Sequence, residues 1–424
     1  MIKFPLIVIG AQWGDEGKGK AVDILAQQAD YIVRFNGGNN AGHSVVVNGE
    51  KYKLSLLPSG ILWKKQLMLS QHVVINPAVL LKEIDFFIKR GLKPQLIIDS
   101  RAHVVMPYHQ ELDAATEIWK GKKATGSLHL GIGYCYEDKN NRFGIRMEDL
   151  IDKKQLKEKL IEFFPIKKRQ IELVYGQKSN LTVEKIYNEY VVYGQRLRSY
   201  VGDVSALTID NIKSKKFLFE GAHGTFLDAV FGTYPYTTAV NTISGAVFAY
   251  VGFPPQTINT LGIVKAYTTR VGNGPFPTEL FDQTGEKIRA VGGEFGTVSK
   301  RPRRCGWLDL PLIRTAHRLS GFNKLAITKL DVLSGIDKIK VCTHYKLDGK
   351  LIKTLPSQIK DFNRCQPIYK NFQGWKVDIS KCRELSQLPK AAQKYLKFIE
   401  KSIGVLIQFV FVGPERNQTM IINY

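Results

Sequence analysis

The segment "FPLIVIGAQWGDEGKGKAVDILAQQADYIVRFNGG" (residues 4–38) changes its periodicity twice. Its first seven residues form an apolar run rich in β-branched side chains, which predicts a buried strand that ends at Gly10. A glycine-rich loop follows, and then apolar residues at helical spacing, Val22, Leu25 and Ala26. The last run, "YIVRF", predicts a second strand. A strand, a helix and a strand in this order predict a parallel sheet with flanking helices, which is an α/β fold.

Further apolar runs of strand length follow, and each ends in glycine or in polar residues. They are residues 95–99, 216–224, 259–267 and 324–333. In open α/β sheets ligands bind outside the carboxyl ends of the strands, so we expect function to reside in the loops after these runs. Residues 150–200 are rich in Lys and show no strand pattern. We expect one α/β domain over residues 1–424, with a large, mostly parallel central sheet and helical insertions at about residues 100–200.

The composition argues against several classes of protein. Of the 424 residues, 44% are hydrophobic, which is enough for a large core. The five cysteines are scattered and form no CxxC pair, which argues against a zinc site or a disulfide framework and indicates a reducing compartment. No apolar run reaches the length of a membrane span, and the N-terminal run is too short for a secretion signal. We therefore expect a cytoplasmic protein without a membrane partner.

The formal net charge of +23 has three possible explanations. They are a solvated lysine surface, binding of nucleic acid, and binding of small anionic substrates. The charges are spread along the chain and are densest in "DKKQLKEKL" (152–160) and "IKKRQ" (166–170), which is typical of exposed helix faces. Since no nucleic-acid-binding motif is present, we regard nucleic acid as the least favoured partner.

The loop "GDEGKGKA" (Gly14–Ala21) nearly matches the Walker A pattern of phosphate-binding loops. Ala21 stands where that pattern has the Ser or Thr whose hydroxyl binds Mg²⁺, so a metal would require another ligand. Asp15 can be this ligand, and a carboxylate can also take a proton from a bound substrate. The pattern therefore indicates a loop that performs chemistry as well as holding phosphates. The alternative is a tight turn with a solvated carboxylate.

The next predicted strand ends in a second glycine-rich turn, "NGGNNAGHS" (36–44). Its glycines allow the backbone to approach a ligand closely. His43 in this turn can donate a proton or stabilise developing negative charge. A structural histidine is the alternative, but the neighbouring phosphate loop favours a function.

Two later segments indicate recognition of a base and of anions. "TKLD" (328–331) resembles the motif by which GTP-binding proteins recognise guanine, because the Asp331 carboxylate can accept hydrogen bonds from guanine N1–H and the 2-amino group. Its alternative is a strand end capped by Asp. "KRPRRCGWLD" (300–309) concentrates arginines, which bind phosphates and carboxylates in a bidentate manner. Its alternative is a solvated basic turn.

Together these segments resemble the adenylosuccinate synthetase family. The matching pieces occur in family order from residue 5 to 416 and are "QWGDEGKGK", "NAGH", "LLPSGIL", "YEDK", "FEGAHGT", "GTYPYTT", "VKAYTTRVGNGPFPTEL", "RPRRCGWLD", "TKLDVLSG", "LPKAA" and "GPER". The resemblance implies one α/β domain around a large, mostly parallel sheet with a P-loop-like GTP site, and a homodimer. It also implies a GTP-dependent ligase that joins IMP and L-aspartate into adenylosuccinate, with GDP and phosphate as the other products.

The resemblance also assigns roles to residues. Asp15 removes the N1 proton of IMP, so that O6 attacks the γ-phosphate of GTP. His43 is the acid that stabilises the transferring phosphoryl group. Mg²⁺, the expected cofactor, is bound by Asp15 and the carbonyl of Gly42. The aspartate amine then displaces phosphate from the 6-phosphoryl intermediate.

The binding residues that the resemblance implies fall into three sets. GTP contacts are Gly14, Asp15, Glu16, Gly17, Lys18, Gly19, Lys20, Gly42, His43, Ser44, Arg303, Lys329, Leu330, Asp331, Phe411, Val412 and Gly413. IMP contacts are Asp15, Glu16, Gly17, Lys18, Asn40, Ala41, Gly42, His43, Leu128, Arg142, His223, Thr238 and Arg301. Aspartate contacts are Thr297, Val298, Ser299, Lys300, Arg301, Pro302 and Arg303. Arg142 is expected to reach the neighbouring site across the dimer.

Five positions depart from the family pattern. Leu128 replaces a Thr that contacts IMP, Tyr134 replaces a Pro, and His223 replaces a Gln that contacts the nucleotide. Lys300 replaces a Gly in the aspartate loop, and Phe411 replaces a Ser beside guanine. Because anionic substrates converge near His223, we expect this histidine to be a cation in the working enzyme.

Three functions remain open at this stage. The first is an active adenylosuccinate synthetase with altered pocket details. The second is an enzyme that aminates another 6-oxopurine nucleotide or uses another amine. The third is a GTP-binding regulatory or nucleic-acid-binding protein, which the presence of both Asp15 and His43 disfavours because a protein that only binds needs no base and acid.

Overall fold

The computed structural model describes residues 3–124, 126–296 and 301–422, which fold around a ten-stranded sheet. The strands in chain order are β1 (Leu6–Gly10), β2 (Tyr31–Arg34), β3 (His43–Val47), β4 (Glu50–Leu54), β5 (Gln66–Leu69), β6 (Gln95–Asp99), β7 (Val201–Gly202), β8 (Phe217–Glu220), β9 (Asn259–Lys265), β10 (Thr268–Arg270), β11 (Arg304–Gly306), β12 (Leu308–Asp309), β13 (Lys324–Thr328), β14 (Lys338–Leu347), β15 (Lys350–Ile352), β16 (Gln366–Gln373), β17 (Ile407–Phe411) and β18 (Thr419–Ile421).

Helices alternate with these strands and also fill the long connection between β6 and β7. They are α1 (Lys18–Ala26), α2 (Pro77–Ile88), α3 (Pro107–Lys120), α4 (Ile132–Asn141), α5 (Met147–Ile151), α6 (Lys153–Arg169), α7 (Val183–Leu197), α8 (Val204–Asn211), α9 (Ala246–Val251), α10 (Gln283–Gly292), α11 (Leu310–Ser320), α12 (Ile359–Arg364) and α13 (Lys390–Ile403). In the part of the chain that the structure describes, no helix is long and apolar enough to cross a membrane.

The large sheet runs in the order β18-β17-β13-β9-β1-β8-β2-β5-β6-β7. Its neighbouring strands are parallel except for the edge pair β17 and β18. The predicted fold class, an α/β fold with a large, mostly parallel sheet, is confirmed. One detail differs from the simplest strand–helix–strand arrangement, because β8 lies between β1 and β2. β8 reaches this position from β7, at the far edge of the sheet, through α8, and local periodicity does not encode where such a connection returns.

Both faces of the sheet carry an apolar core, which explains the uninterrupted apolar runs in the sequence. Along β1, Ile7 and Ile9 belong to one cluster of buried side chains, whereas Leu6 and Val8 belong to a second cluster on the opposite face. Helices α11 and α13 contribute to the first cluster, and α1 and α2 to the second. Each face is therefore covered by helices, as a parallel sheet requires.

The lysine-rich part of the long connection forms an amphipathic helix. In α6, Leu156, Leu160 and Phe164 are buried at a spacing of four residues, while Lys153 and Lys154 on the other side are exposed. The Asp152 side chain caps this helix by accepting hydrogen bonds from the N–H groups of residues 154 and 155. The lysines at the start of α6 thus form a solvated helix face, whereas Lys167 near its end is buried and paired with Asp138, contrary to the expectation for residues 166–170.

The arrangement of the sheet gathers six loops at one edge. The adjacent parallel strands β17, β13, β9, β1, β8 and β2 all end there, so the segments after Phe411, Thr328, Lys265, Gly10 and Glu220 lie side by side, next to the turn after β2. This edge is the location that open α/β sheets use for ligands.

Candidate active site

A cavity of about 940 Å³ opens at the carboxyl edge of the sheet. Most residues that the sequence singles out line it. They are Gly14, Asp15, Gly17, Lys18, Gly19, Lys20, Asn40, Ala41, Gly42, His43, Ser44, Leu128, Tyr134, His223, Thr238, Arg303, Lys329, Asp331, Phe411 and Gly413. Segments that are hundreds of residues apart in the chain are therefore brought into one site.

The phosphate loop joins β1 to α1 and ends at the helix N-terminus. Gly17 has a φ of +89° and precedes the first helical residue, Lys18, a conformation that favours glycine. The first N–H groups of a helix have no partner within the helix, so this end is suited to bind an anion. Ala21, by contrast, is buried in the apolar core beneath the loop.

Glu16 lies beneath this loop instead of facing the cavity. Its fully buried carboxylate accepts hydrogen bonds from the N–H groups of Gln12 (3.0 Å) and Gly14 (2.9 Å) and forms an ion pair of 2.7 Å with Lys18. A Cβ atom at Gly10 or Gly224 would overlap this carboxylate. The resemblance groups Glu16 with the nucleotide contacts, whereas the structure gives its side chain a role in shaping the loop.

Asp15 has the opposite orientation and forms an ion pair across the cavity wall. Its carboxylate is 2.7 Å from Nε of Arg303, and 30% of its side chain is exposed. The backbone of Asp15 has a φ of +58°, which turns the side chain away from that of its neighbour. Asp15 is therefore a carboxylate that solvent and ligands can reach, held by an arginine.

His43 stands at the beginning of β3, beside the phosphate loop. A Cβ atom at Gly19 would be 3.1 Å from the Cβ of His43, so the missing side chain lets the two segments approach closely. Nδ1 of His43 makes a short hydrogen bond with the buried carboxylate of Glu220 and is 3.2 Å from Oγ of Ser59. Burial acts to raise the pKa of Glu220, but His43 and the hydrogen bonds from Ser59 outweigh it and hold that pKa below its usual value.

Glu294 connects Arg303 with two lysines of the site. Its buried carboxylate forms ion pairs with Arg303 (2.7 Å), Lys265 (2.9 Å) and Lys329 (3.2 Å). Burial alone would raise the pKa of Glu294, but these three positive charges keep it far below its usual range. Lys265 and Glu294 are functional candidates that the sequence interpretation missed. Their only signals are a lysine at the end of the apolar run "GIVK" and an acid between glycines in "GGEFG".

The "TKLD" segment and the end of β17 form the remote end of the cavity. Oδ1 of Asp331 is buried and has no hydrogen-bond partner among the described residues, and burial raises the pKa of this carboxyl group. Thr328 donates a hydrogen bond of 2.6 Å to the carbonyl of Glu16, which ties this segment to the phosphate loop. Leu330 and Val412 are buried beneath the cavity, away from its lining.

Lys20 and Phe411 lie next to Asp331 at the same end. The Nζ atom of Lys20 donates to the carbonyls of Gly413 (2.8 Å) and Gln418 (2.9 Å) and lies 4.7 Å from the centre of the Phe411 ring. Burial lowers the pKa of Lys20 to about 7, although the charge of Asp331 opposes this shift. Phe411 thus replaces a hydroxyl with an aromatic face that a cation covers.

Burial favours the neutral form of His223 in the structure, and the cation expected in the working enzyme stays a prediction. Burial, together with the charges of Lys18, Arg34 and His43, lowers the pKa of His223 to about 3. The ring adjoins Gly37, whereas the backbone of His223 lies near the phosphate-loop Gly14. The Nε2 atom has no hydrogen-bond partner among the described residues. Anionic substrates favour the cation, whereas burial and the charges of Lys18, Arg34 and His43 act in the opposite direction.

One part of the cavity wall is largely apolar. Leu128, Leu130, Ile132 and Tyr134 line it, and the loop that carries Leu128 is attached to α3 through the carboxylates of Asp113 and Glu117. The Leu128 and Tyr134 departures therefore change one continuous surface.

Some predicted site residues lie away from this cavity. Arg142 ends α4 with a φ of +66°, and its side chain is exposed outside the cavity lining. Arg301 and Pro302 are also exposed, and their backbone pairs with residues 295–296 to close a loop. Thr297, Val298, Ser299 and Lys300, the centre of the expected aspartate loop, are outside the described residues.

The chain is similar to known proteins over its full length. The sequence model of the family described as adenylosuccinate synthetase matches residues 7–420. The chain is 49% identical to an adenylosuccinate synthetase of Clostridium botulinum (strain 657 / Type Ba4), with 98% of this chain and 99% of that protein covered. It is 47% identical to the enzyme of Acetivibrio thermocellus, with the same coverage.

Solved structures give the same result. The fully ligated adenylosuccinate synthetase from Plasmodium falciparum has a TM-score of 0.93 and 38% identity, and the comparison covers 99% of both chains. A succinoaminodeoxyadenylate synthetase of cyanophage S-2L, at 19% identity and a TM-score of 0.63, shares the fold. The chain therefore belongs to the adenylosuccinate synthetase family.

Proposed function

We propose that this cavity binds GTP, IMP and L-aspartate together and that Asp15 and His43 perform the chemistry between them. The reaction is that of the family, a GTP-dependent carbon–nitrogen ligation that converts IMP and L-aspartate into adenylosuccinate, GDP and phosphate, a step of purine biosynthesis. One observation carries this assignment of roles: Asp15 and His43 line the same cavity. Asp15 is held by an ion pair with Arg303, and His43 is held by a hydrogen bond to the Glu220 carboxylate.

The first step requires a base. Asp15 takes the N1 proton of IMP, and the electron pair shifts to O6, which attacks the γ-phosphorus of GTP while the bond to GDP breaks. In the structure Arg303 is paired with the Asp15 carboxylate. A phosphate group is a strong alternative partner for an arginine, so we expect GTP to draw Arg303 away and release Asp15.

The phosphate loop and His43 stabilise the group in transfer. We expect the N-terminus of α1 and Lys18 to lie beside the γ-phosphate. In its acid form His43 carries a proton on both ring nitrogens, and it donates from Nε2 to the phosphoryl oxygens while Nδ1 stays bound to Glu220. In the second step the aspartate amine attacks C6 of the purine, and phosphate leaves with the oxygen that was O6 of IMP.

The cavity also fits Mg²⁺. The carboxylate of Asp15 and the carbonyl of Gly42 would hold it, and these hard oxygen ligands suit this ion. Within residues 3–124, 126–296 and 301–422 no group of three or more His, Cys, Asp or Glu side chains could hold a metal. A site with one carboxylate completed by substrate phosphates is the arrangement that Mg²⁺ commonly adopts. When bound, the ion neutralises charge on the phosphates.

The remaining roles concern the substrates' outer groups. Asp331 reads guanine through its unpartnered oxygen, with Lys20 and Phe411 beside it. Asn40, Thr238, His223 and Leu128 form the IMP wall, and Arg301 and the loop 297–303 receive aspartate. Arg142 contributes from the neighbouring protomer of a homodimer. We also propose that the enzyme works in the cytoplasm.

An isotope-labelling experiment that traces O6 of IMP tests this mechanism. Purified protein would receive GTP, Mg²⁺, L-aspartate and IMP labelled with oxygen-18 at O6, with controls that omit each substrate in turn. We expect adenylosuccinate only in the complete mixture, and the label in the released phosphate. Phosphate release without IMP would indicate a GTPase, and unlabelled phosphate would contradict the 6-phosphoryl intermediate. Product formation from another nucleotide but not from IMP would contradict the assignment of the acceptor.

A further inference from the structure

Glu220 is a buried carboxylate behind the cavity wall. It ends β8, and its side chain is fully buried and outside the cavity lining. One oxygen accepts a hydrogen bond from the Ser59 hydroxyl (2.6 Å) and the short bond from Nδ1 of His43. The other oxygen accepts from the Ser59 N–H (2.8 Å). Because no part of Glu220 reaches the cavity, it can influence a substrate only through another residue.

The hydrogen bonds determine which ring nitrogen of His43 carries a proton. An ionised carboxylate only accepts hydrogen bonds. The Ser59 hydroxyl already donates its single proton to this carboxylate, so the contact with His43 requires a proton on Nδ1. The Nδ1 edge therefore faces the buried strand, and the Nε2 edge is directed to the cavity that His43 lines.

We propose that Glu220 is a positioning residue that fixes the ring orientation and the Nδ1 proton of His43, with Ser59 holding the carboxylate in place. This inference rests on the proposed function of His43 as the donor to the phosphoryl group. With Nδ1–H held by Glu220, the second proton of the acid form of His43 lies on Nε2, the nitrogen that faces the cavity. Without Glu220 the ring can rotate, so that this donor no longer has a fixed position. A carboxylate that orients a catalytic imidazole in this way acts on turnover and not on substrate binding.

The chain offers a matched control in Glu83. This carboxylate also accepts hydrogen bonds from backbone N–H groups, those of Leu56 (3.1 Å) and Leu57 (2.9 Å) among them, and these hydrogen-bond partners do not line the cavity. Glu83→Gln and Glu220→Gln therefore make the same substitution at two buried glutamates that accept backbone hydrogen bonds, only one of which contacts His43. A purely structural role of Glu220 predicts similar losses in both variants.

The kinetic experiment compares Glu220→Gln, Glu83→Gln and His43→Asn with the parent enzyme. We expect kcat of Glu220→Gln to fall by about tenfold or more, while KM for GTP and IMP changes by less than about threefold. Glu83→Gln should keep kcat within about twofold of the parent value. Equal losses of kcat in both glutamate variants, or a raised KM with unchanged kcat, would overturn the proposal.

Nitrogen-15 NMR spectroscopy can monitor the contact between His43 and Glu220 directly. With nitrogen-15-labelled histidine, the parent enzyme should show a His43 resonance of the Nδ1-protonated form, assigned by its loss in His43→Asn. Glu220→Gln should shift this signal or replace it by a mixture of tautomers, and Glu83→Gln should leave it in place. An unchanged signal in Glu220→Gln contradicts the inference. If His43→Asn keeps full activity, the proposed role of His43 fails, whereas an inactive His43→Asn with a fully active Glu220→Gln refutes only the role of Glu220.

Discussion

Asp15 and Glu16 are neighbours in the chain, yet their carboxylates face opposite directions. The positive φ of Asp15 separates them, so that one reaches the cavity and the other lies beneath the loop. Glu16 offsets the charge of Lys18 and satisfies two backbone N–H groups, which keeps the loop open for a phosphate. A phosphate loop can therefore contain two acids because only one of them faces the cavity.

Base recognition is a matter of single hydrogen-bonding groups. Asp331→Asn should shift the preference from GTP towards XTP, because an amide can donate to the 2-oxo group that xanthine has in place of the 2-amino group. An unmatched buried group costs about 1–3 kcal/mol, so the ratio of kcat/KM values for the two nucleotides should change at least about tenfold. Steady-state kinetics with both nucleotides measures this ratio, and Asp337→Asn on the surface serves as a control. A ratio that stays constant would show that Asp331 does not read the base.

The neutral state of His223 has a consequence for stability. The unfolded chain takes up a proton at His223 below about pH 6.5, whereas the folded chain, with a pKa of about 3, does not. The free energy of unfolding must therefore decrease as the pH falls from about 6.5 towards 3, by up to about 1.4 kcal/mol per pH unit for this one group. His223→Gln removes this contribution.

Urea denaturation without substrates, between about pH 7 and 5, tests this expectation. As the pH falls, the unfolding free energy of His223→Gln should decline less steeply than that of the parent enzyme. The two slopes should differ by up to about 1.4 kcal/mol per pH unit, the value for one proton. Parallel curves for the two proteins would contradict a neutral, buried His223.

At the scale of elements, the site depends on how closely the loop after β1 and the segment after β8 approach each other. Gly224 has an extended backbone, so its importance is steric. A Cβ atom there would overlap the Glu16 carboxylate and the backbone of the phosphate loop. Gly224→Ala should lower the free energy of unfolding by about 1–3 kcal/mol and reduce GTP-dependent turnover strongly.

Gly245→Ala is the matched control for this substitution. Gly245 has helical dihedral angles, and a Cβ atom there would meet no other atom within 4 Å. Thermal denaturation and turnover of both variants should separate a crowded loop from a general effect of losing a glycine. Equal behaviour of the two variants would show that the contact with Glu16 does not limit the site.

The apolar runs of the sequence predict individual strands better than they predict strand pairing. Residues 95–99 form a strand as expected, because a parallel strand buried on both faces is an uninterrupted apolar run with a polar end. The strand expected at 324–333 ends at Thr328, because Lys329 has a positive φ and Leu330–Leu333 form a 3-10 helix. The position of β8 between β1 and β2 was not predictable, because pairing of distant strands leaves no local signal. The sequence predicts where the loops of the site lie in the chain, because they follow the strand ends. It does not predict which loops become neighbours in space.

At the scale of the whole molecule, the exposed Arg142 tests the proposed dimer. The experiment uses two separately purified variants, Asp15→Ala and Arg142→Leu. Each homodimer alone should be nearly inactive. If Arg142 acts on the neighbouring site, a mixed dimer contains one intact site, formed by Asp15 of one protomer and Arg142 of the other. Random exchange of protomers should restore about a quarter of the parent activity.

The measurement is turnover after the two proteins are mixed and incubated, with size-exclusion chromatography to verify that dimers persist. Each protein incubated alone is the control. No recovery in an exchanged dimer would mean that Arg142 does not complete the partner's site.

The sequence by itself determined the sheet-rich α/β class, the phosphate loop, the guanine motif and the family, because these depend on contiguous residues whose spacing reflects local backbone geometry. Only the tertiary structure decided the state of the charged groups. Whether Glu16 faces a ligand, whether His223 carries a proton, and which buried acids hold His43 and Arg303 depend on burial and on charges contributed by distant strands. These quantities arise from three-dimensional proximity, which a linear pattern does not contain.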